Sequence, residues 1–251
     1  MPDERVDLNA DVGEGLGQDP ALFRIVTSAS VACGFHAGDA GTMRAAVTLA
    51  REHGVSIGAH PSFPDLAGFG RREMTLTPPE IEACVTSQVG ALADVAARQG
   101  VRLHHVKPHG ALYNMAARDA ALADAIARAI ARFDPALILF GLAGSRLIEA
   151  GRRAGLKTAS EVFADRAYRR DGTLVSRTEA GAVIHEAAVV VPRAVAMVRD
   201  GSVVSDDGTR VPLQVDTLCV HGDTPAAAEL AAQIRKALGE AGVQVAPVGL
   251  P

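Results

Sequence analysis

Residues 101–114 read VRLHHVKPHGALYN, an apolar strand pattern that leads at once into charged and imidazole side chains. The alternating apolar residues at its start predict a strand that enters a core. Lys107 and His109 follow, where Pro108 and Gly110 interrupt the extended backbone. A cation and an imidazole at the end of a buried strand are costly to desolvate without partners. We interpret the segment as a strand that delivers polar side chains to a site; the simpler alternative is a strand whose last residues reach solvent.

The same arrangement of a strand followed by polar residues recurs along the chain. The predicted strands span residues 6–9, 28–33, 55–59, 101–106, 137–140, 156–162 and 217–220. Most are followed by a helical pattern after a short connection, and such units form a parallel sheet with helical crossovers. We therefore predict an α/β fold: a single (β/α)7 TIM-like barrel that forms one domain over residues 1–251. An open, doubly wound sheet is the second choice.

The composition narrows the possible classes of function. The 251 residues are 48% hydrophobic but only 4% aromatic, so the core must be built mainly from aliphatic side chains. A net charge of −4 with interspersed signs argues against a nucleic-acid-binding face. The three cysteines lie far apart and predict no disulfide framework. Apolar runs fall short of the roughly 20 residues of a membrane span, and no signal peptide is recognisable, so we expect a cytoplasmic protein.

Three segments depart from the regular pattern. The loop 62–74 is rich in Gly, Pro and Phe and carries Arg71 and Arg72, and its length predicts a lid or binding loop. A helix predicted over residues 179–200 contains Pro192, so we expect it to be kinked or divided. Residues 202–213 predict a surface hairpin around an Asp-Asp-Gly turn.

In a parallel barrel the loops that follow the strands share one face, where active sites lie. Polar candidates follow the predicted strands: Asp11, Glu14, His36, Asp39, His60, Lys107, His109, Glu161, Asp165, Arg166, His221 and Asp223. Structural alternatives exist for several of them. Asp39 and Asp223 each precede a helix and could cap it, while Asp165 and Arg166 could form a local ion pair. Three further histidines are assigned structural positions: His53, His104 and His185.

These residue types favour attack by water over a covalent enzyme intermediate, because the chain has no Gly-x-Ser-x-Gly nucleophile motif. Either Asp11 or Glu161 could orient and deprotonate the water. Lys107, Arg166 and the imidazoles could hold an anionic substrate and the oxyanion that develops. The residue pattern does not decide which carboxylate is the base.

A divalent metal is a separate hypothesis. Several histidines together with an aspartate can form a hydrolytic zinc-type site, with Asp11, His36 and His60 as the candidate ligands. No local ligand pair such as His-x-x-x-His supports this site, so metal binding stays open at this point.

Six motifs resemble those of the LamB/YcsF family: residues 7–15 (DLNADVGEG), 32–39 (ACGFHAGD), 58–61 (GAHP), 106–114 (VKPHGALYN), 161–166 (EVFADR) and 219–223 (CVHGD). Together they span nearly the whole chain in order. Members of this family form the A subunit of the prokaryotic ATP-dependent 5-oxoprolinase. The resemblance implies a seven-unit barrel related to the glycoside hydrolase and polysaccharide deacetylase superfamily.

The resemblance also implies a reaction in which 5-oxo-L-proline, ATP and water give L-glutamate, ADP and phosphate, together with partner subunits B and C. ATP is expected to bind wholly or partly on the partners, because the chain shows no nucleotide-binding motif. We assign the catalytic role to Asp11, Glu14, His60, Lys107, His109 and Glu161. We assign substrate binding to Asn9, His36, Asp39, Asp165, Arg166, His221 and Asp223. Two alternatives remain: a stand-alone metal-dependent deacetylase or amidohydrolase, and a non-catalytic subunit that binds a small molecule.

Overall fold

Seven parallel strands close into a barrel in the computed structural model, which describes residues 4–220 and 226–250. The strands of the described residues are β1 (Arg5–Val12), β2 (Ser28–Ala32), β3 (Ser56–His60), β4 (His105–Val106), β5 (Ile138–Leu142), β6 (Lys157–Phe163), β7 (Ser202–Val204), β8 (Arg210–Pro212), β9 (Thr217–Val220) and β10 (Gln244–Val245). Strands β1 to β6 pair in sequence order, and β9 pairs in parallel with both β6 and β1. The ring is therefore closed, which confirms the predicted seven-stranded TIM-like barrel.

Helices cover the outside of this ring. The helices of the described residues are α1 (Asp19–Leu22), α2 (Ala40–His53), α3 (Pro78–Ala97), α4 (Gly110–Ala116), α5 (Ala120–Phe133), α6 (Arg146–Arg153), α7 (Ala187–Asp200) and α8 (Ala227–Glu240). The main apolar core lies between these helices and the strands and draws side chains from Val6 to Val243. Across the described ranges, no helix has both the length and the apolar composition that crossing a bilayer requires.

Strand β1 shows how the two faces of the barrel wall separate. Its even-numbered residues from Val6 to Val12 are apolar and belong to the main core. Asp7, Asn9 and Asp11 alternate with them and hydrogen-bond or ion-pair with residues of other strands across the ring. Because successive side chains of a strand point to opposite faces, the polar residues of β1 face the barrel interior.

Two predicted elements have different boundaries in the structure. Strand β4 is two residues long, although the sequence pattern predicts a strand over 101–106, because the chain after α3 is still leaving the helix: Gly100 has φ +72° and the Val101 amide donates to the Ala96 carbonyl. Helix α7 begins at Ala187 and not near residue 179. The segment before it is held extended, since Val183 forms a bridge with Arg166.

Two other predictions are confirmed in outline. Residues 202–213 contain the predicted antiparallel hairpin, formed by β7 and β8. The loop 62–74 is a long connection, with one short 3-10 turn at Leu66–Gly68. Pro192 lies within α7, which continues through it as one helix.

Candidate active site

The carboxyl ends of the barrel strands surround a small pocket of about 50 Å³. Its lining includes five of the six predicted catalytic residues: Asp11, Glu14, His60, Lys107 and His109. The pocket shares Arg71, Arg166 and Arg177 with a larger cavity of about 930 Å³. We call this larger cavity the vestibule. The pocket itself holds a group no larger than the reacting part of a small molecule, and the vestibule leaves room for the rest.

Lys107 forms the charged centre of the pocket floor. Its Nζ lies 2.8 Å from Asp11 Oδ1 and 2.8 Å from Glu161 Oε1, and it donates to Asn9 Oδ1 at 3.0 Å. Burial alone would lower the pKa of Lys107, but the charges of Asp11, Cys219 and Glu161 outweigh it and hold the pKa well above its ordinary value. The side chain therefore remains an ammonium ion at neutral pH.

The two carboxylates beside Lys107 have different surroundings. Glu161 is fully buried, and its two oxygens accept hydrogen bonds from Asn9 Nδ2 at 2.9 Å and from the Tyr113 hydroxyl at 2.7 Å. It is absent from the pocket lining, whereas Asp11 forms part of it. Of the two carboxylates that the sequence leaves as candidate bases, Asp11 is the one that can contact a ligand in the pocket, and Glu161 holds the lysine in place.

Glu14, His36, His60 and His109 form a second group at the same end of the barrel, which we call the histidine cluster. One potential metal-ligating atom from each of them lies within 4.8 Å of all the others. Burial lowers the pKa of His36 to about 3 and that of His109 well below its ordinary value. Neutral imidazoles with a carboxylate are the ligands that zinc and similar ions take, so the donor set suits a divalent transition metal.

The predicted binding loop 62–74 packs directly on this cluster. The Phe69 carbonyl accepts a hydrogen bond from His109 Nε2 at 2.8 Å. Gly70 has φ +65°, and a Cβ there would lie 2.9 Å from side-chain atoms of both His36 and His109. Only a glycine permits this backbone conformation and this close approach without strain. The loop therefore fixes two of the imidazoles and carries Arg71 to the pocket mouth.

Arginines supply positive charge where the pocket meets the vestibule. Arg166 is buried, and its guanidinium donates to the Ala182 carbonyl at 3.1 Å and to the Val175 carbonyl at 2.5 Å. Burial lowers the pKa of Arg166 to about 10, which still leaves it charged at neutral pH. Arg71 and Arg177 line the same opening. This rim can attract an anionic ligand, as the sequence predicts for Arg166.

The remaining predicted site residues occupy different positions. Asp39 is exposed and caps α2, where its side chain accepts from the Gly41 and Thr42 amides, in agreement with the capping alternative. Asp165 is buried and lines neither cavity. Asn9 contacts Lys107 and Glu161 beneath the pocket. The predictions for His221 and Asp223 lie outside the described residues.

The candidate metal ligands also group differently from the prediction. His36 and His60 belong to the cluster, as expected, but their carboxylate neighbour is Glu14, and His109 joins them. Asp11 lies 3.5 Å from His60 Nε2, yet its closest charged partner is Lys107. The lysine ion pair takes Asp11 away from the ligand set.

Sequence reasoning passed over two residues of the site. Tyr113 lines the pocket and donates to Glu161, and Arg177 lines both the pocket and the vestibule. Tyr113 belongs to the 106–114 motif, so its place directly after Lys107 and His109 was an available signal. Arg177 lies in a polar stretch without a recognisable pattern, and only the fold brings it to the rim.

Known proteins match the chain over nearly its whole length. The LamB/YcsF family profile matches residues 6–250. A protein from Bordetella pertussis, named as the A subunit of 5-oxoprolinase, is 56% identical over 245 residues, which cover 96% of this chain and 97% of the relative. The crystal structure of a lactam utilization protein from Thermus thermophilus is 48% identical with a TM-score of 0.89, covering 96% of this chain and 99% of that protein.

More distant structures share the barrel architecture. The peptidoglycan deacetylase PdaC from Bacillus subtilis superposes with a TM-score of 0.52 at 12% identity, covering 98% of this chain and 89% of the deacetylase. At this identity the likeness concerns the fold alone, and it agrees with the predicted relation to deacetylase-type barrels.

Proposed function

The chain belongs to the LamB/YcsF family, and from this membership and the pocket geometry we propose that it is the A subunit of a 5-oxoprolinase. It would open the lactam ring of 5-oxo-L-proline to give L-glutamate. The relatives named for 5-oxoprolinase and for lactam utilization support the substrate class. The observation that carries the proposal is the Lys107 ammonium held between Asp11 and Glu161 at the floor of a small polar pocket.

The pocket residues suit water attack on an amide carbonyl. Asp11 accepts a proton from the attacking water as the new C–O bond forms, and it returns the proton to the ring nitrogen as the C–N bond breaks. Lys107 supplies fixed positive charge beside Asp11, where it can stabilise the oxyanion that develops on the carbonyl oxygen. Glu161 and Asn9 keep the ammonium in position, so little reorganisation is needed during the reaction.

The rim of the pocket suits the carboxylate of 5-oxoproline. Arg71, Arg166 and Arg177 line the opening between the pocket and the vestibule. A carboxylate paired with a guanidinium forms strong, directional hydrogen bonds. With the carboxylate at this rim, the lactam carbonyl can extend toward Lys107 in the smaller pocket.

ATP coupling and the partner subunits are part of the same proposal. A lactam is stabilised by amide resonance, and transfer of phosphate from ATP to its carbonyl oxygen would activate the carbon toward water. The lettered subunit names of the relatives support a multi-subunit enzyme, and we assign ATP binding wholly or partly to subunits B and C. The cytoplasm is the proposed compartment, because the three cysteines are free thiols.

The test is release of glutamate from 5-oxoproline by this chain alone and by the chain mixed with subunits B and C, each with and without ATP. We expect turnover only in the ATP-containing mixture. Asp11→Asn should abolish it, while Asp124→Asn, which changes an exposed carboxylate paired with Arg153, serves as the matched control. Glutamate release by the isolated chain without ATP would favour a stand-alone amidohydrolase. Full turnover by Asp11→Asn in the mixture would favour a non-catalytic subunit.

A further inference from the structure

The hydrogen bonds around two buried imidazoles fix where their protons lie. His60 Nδ1 is 2.7 Å from the Lys107 carbonyl oxygen, and His109 Nε2 is 2.8 Å from the Phe69 carbonyl oxygen. A carbonyl oxygen can only accept a hydrogen bond, so each of these nitrogens must carry a hydrogen and donate it. In the neutral imidazoles, His60 Nε2 and His109 Nδ1 are therefore the nitrogens with a lone pair.

These two lone-pair nitrogens face each other. His60 Nε2 and His109 Nδ1 are 3.0 Å apart. Both side chains are buried, with His60 at 1% and His109 at 6% exposure, so water has little access to separate them. Two acceptors at this distance repel unless a positively charged group lies between or beside them. A shared proton or a metal ion can supply that charge.

The other two members of the cluster distinguish these two occupants. Glu14 Oε1 lies 3.1 Å from His36 Nε2, 3.5 Å from His109 Nδ1 and 4.0 Å from His60 Nε2. A single proton between two imidazoles needs neither of these further groups. Ligands bound at about 2.1 Å in a tetrahedral zinc-type site are about 3.4 Å apart, and the observed separations of 3.0 to 4.0 Å lie around that value.

We propose that the histidine cluster binds one divalent transition-metal ion through Glu14, His36, His60 and His109. The hydrogen bonds from His60 and His109 to backbone carbonyls are the outer contacts that typically orient metal-bound imidazoles. The four ligands come from different segments: the loop after β1, the loop after β2, the end of β3 and the loop after β4. The site concerns the same pocket as the proposed function but rests on these hydrogen bonds and distances, not on the lactam substrate.

The experiment measures metal binding directly and uses the full chain without an affinity tag, because a polyhistidine tag would bind metal itself. After treatment with a chelator and its removal, the chain is titrated with Zn²⁺ and with Co²⁺ by calorimetry, and the visible absorption of Co²⁺ reports its ligands. We expect one ion per chain. Glu14→Gln and His36→Gln should each weaken binding by more than about tenfold, since an outer-shell loss already costs about 10- to 100-fold.

A matched control removes two histidines outside the cluster. His53 and His185 are both exposed, and the double variant His53→Gln/His185→Gln should keep one ion per chain with unchanged affinity. Circular dichroism verifies that each variant is folded, and Glu14→Gln keeps the test available if a histidine variant fails to fold. A wild-type chain that binds neither ion, or equal affinity in Glu14→Gln, His36→Gln and wild type, would overturn the proposal. Because the readout is binding, it can fail while ATP-dependent lactam opening succeeds, and the reverse.

Discussion

Asp7 and Asp11 lie at opposite ends of the same barrel strand, and both carboxylates are buried, but their surroundings differ in kind. Asp7 accepts hydrogen bonds from three hydroxyls: Thr27 at 2.6 Å, Ser28 at 2.7 Å and Thr217 at 2.6 Å. Asp11 instead pairs with the Lys107 ammonium and lines the pocket. Asp7 is enclosed by neutral donors, while Asp11 combines a charged partner with access to a ligand.

This difference shows that burial alone does not identify a catalytic carboxylate. Hydroxyl donors from β2, β9 and the segment before β2 surround Asp7, so its hydrogen-bonding capacity is used within the barrel. The two ends are connected through Asn9, whose Nδ2 donates to Thr217 Oγ1 at 2.7 Å and to Glu161 at 2.9 Å. We therefore expect changes at the Asp7 end to affect mainly stability, and changes at the Asp11 end to affect mainly turnover.

The largest effect is expected for Lys107→Met, which removes the cation from the Asp11 end. It leaves two buried carboxylates without their ammonium, and breaking such a pair costs about 3–5 kcal/mol of unfolding free energy. It also removes the charge proposed to stabilise the oxyanion, at a cost of about 10²–10³ in kcat. Urea unfolding and glutamate release with subunits B and C measure the two losses. Near-wild-type values in both assays would contradict the role given to Lys107.

The comparison itself is tested by the pair Asp11→Asn and Asp7→Asn. Asp11→Asn should lower kcat by about 10²–10⁴, the contribution of a general base. Asp7→Asn should lower the free energy of unfolding by about 1–3 kcal/mol, because the Thr217 hydroxyl loses its acceptor, with a much smaller change in kcat per folded molecule. The same two assays apply, with each variant as the control for the other. If Asp7→Asn abolished turnover in folded protein, the two ends would not be functionally separate.

The pH dependence of stability sharpens the description of the Asp7 end. Burial raises the pKa of Asp7 above its ordinary value of 3.8, because the hydroxyl donors offset only part of the desolvation. Between 3.8 and this raised pKa, the unfolded chain has released the proton while the folded chain keeps it, so the contribution of Asp7 to stability falls as pH rises. Unfolding of wild type and Asp7→Asn from about pH 4 upward should show the wild-type advantage shrinking. An advantage that grows with pH would mean that the hydroxyls dominate.

The smallest effect is expected for Asp39→Ala, at the edge of the same rim as Asp11. Asp39 caps α2, and Asp119 caps α5 by accepting from two backbone amides in the same way. Each substitution should cost about 1 kcal/mol of unfolding free energy. Comparing Asp39→Ala with Asp119→Ala in the unfolding and glutamate assays separates capping from binding. A turnover loss specific to Asp39→Ala would restore its predicted contact with substrate.

The sequence predicts the barrel and the rim well, because both follow from short-range patterns. Strand periodicity and the polar residues after each strand correctly bring Asp11, Glu14, Lys107 and His109 to one pocket. The sequence could not separate the roles of Asp11 and Glu161, since both are acids at strand ends and only the hydrogen bonds from Asn9 and Tyr113 distinguish them.

The composition of the histidine cluster was also beyond sequence reasoning. Glu14 reaches the imidazoles because the chain turns at Gly13 and Gly15, which have φ of +73° and +80°. Such a turn depends on a backbone conformation that glycine permits but does not dictate. His109 joins the cluster because the loop 62–74 folds over it, a contact between segments far apart in the chain.

Closure of the ring by β9 has a consequence for the way this chain is made. Asp7 receives its hydrogen bond from Thr217, 210 positions later, and β1 finds its second neighbour only when β9 has been synthesised. Until then one edge of β1 is unpaired while its acidic side chains lack some of their partners. Contacts of such long sequence separation form slowly, so a nascent or truncated chain would expose an adhesive strand. Chaperone protection during synthesis would matter most in that interval.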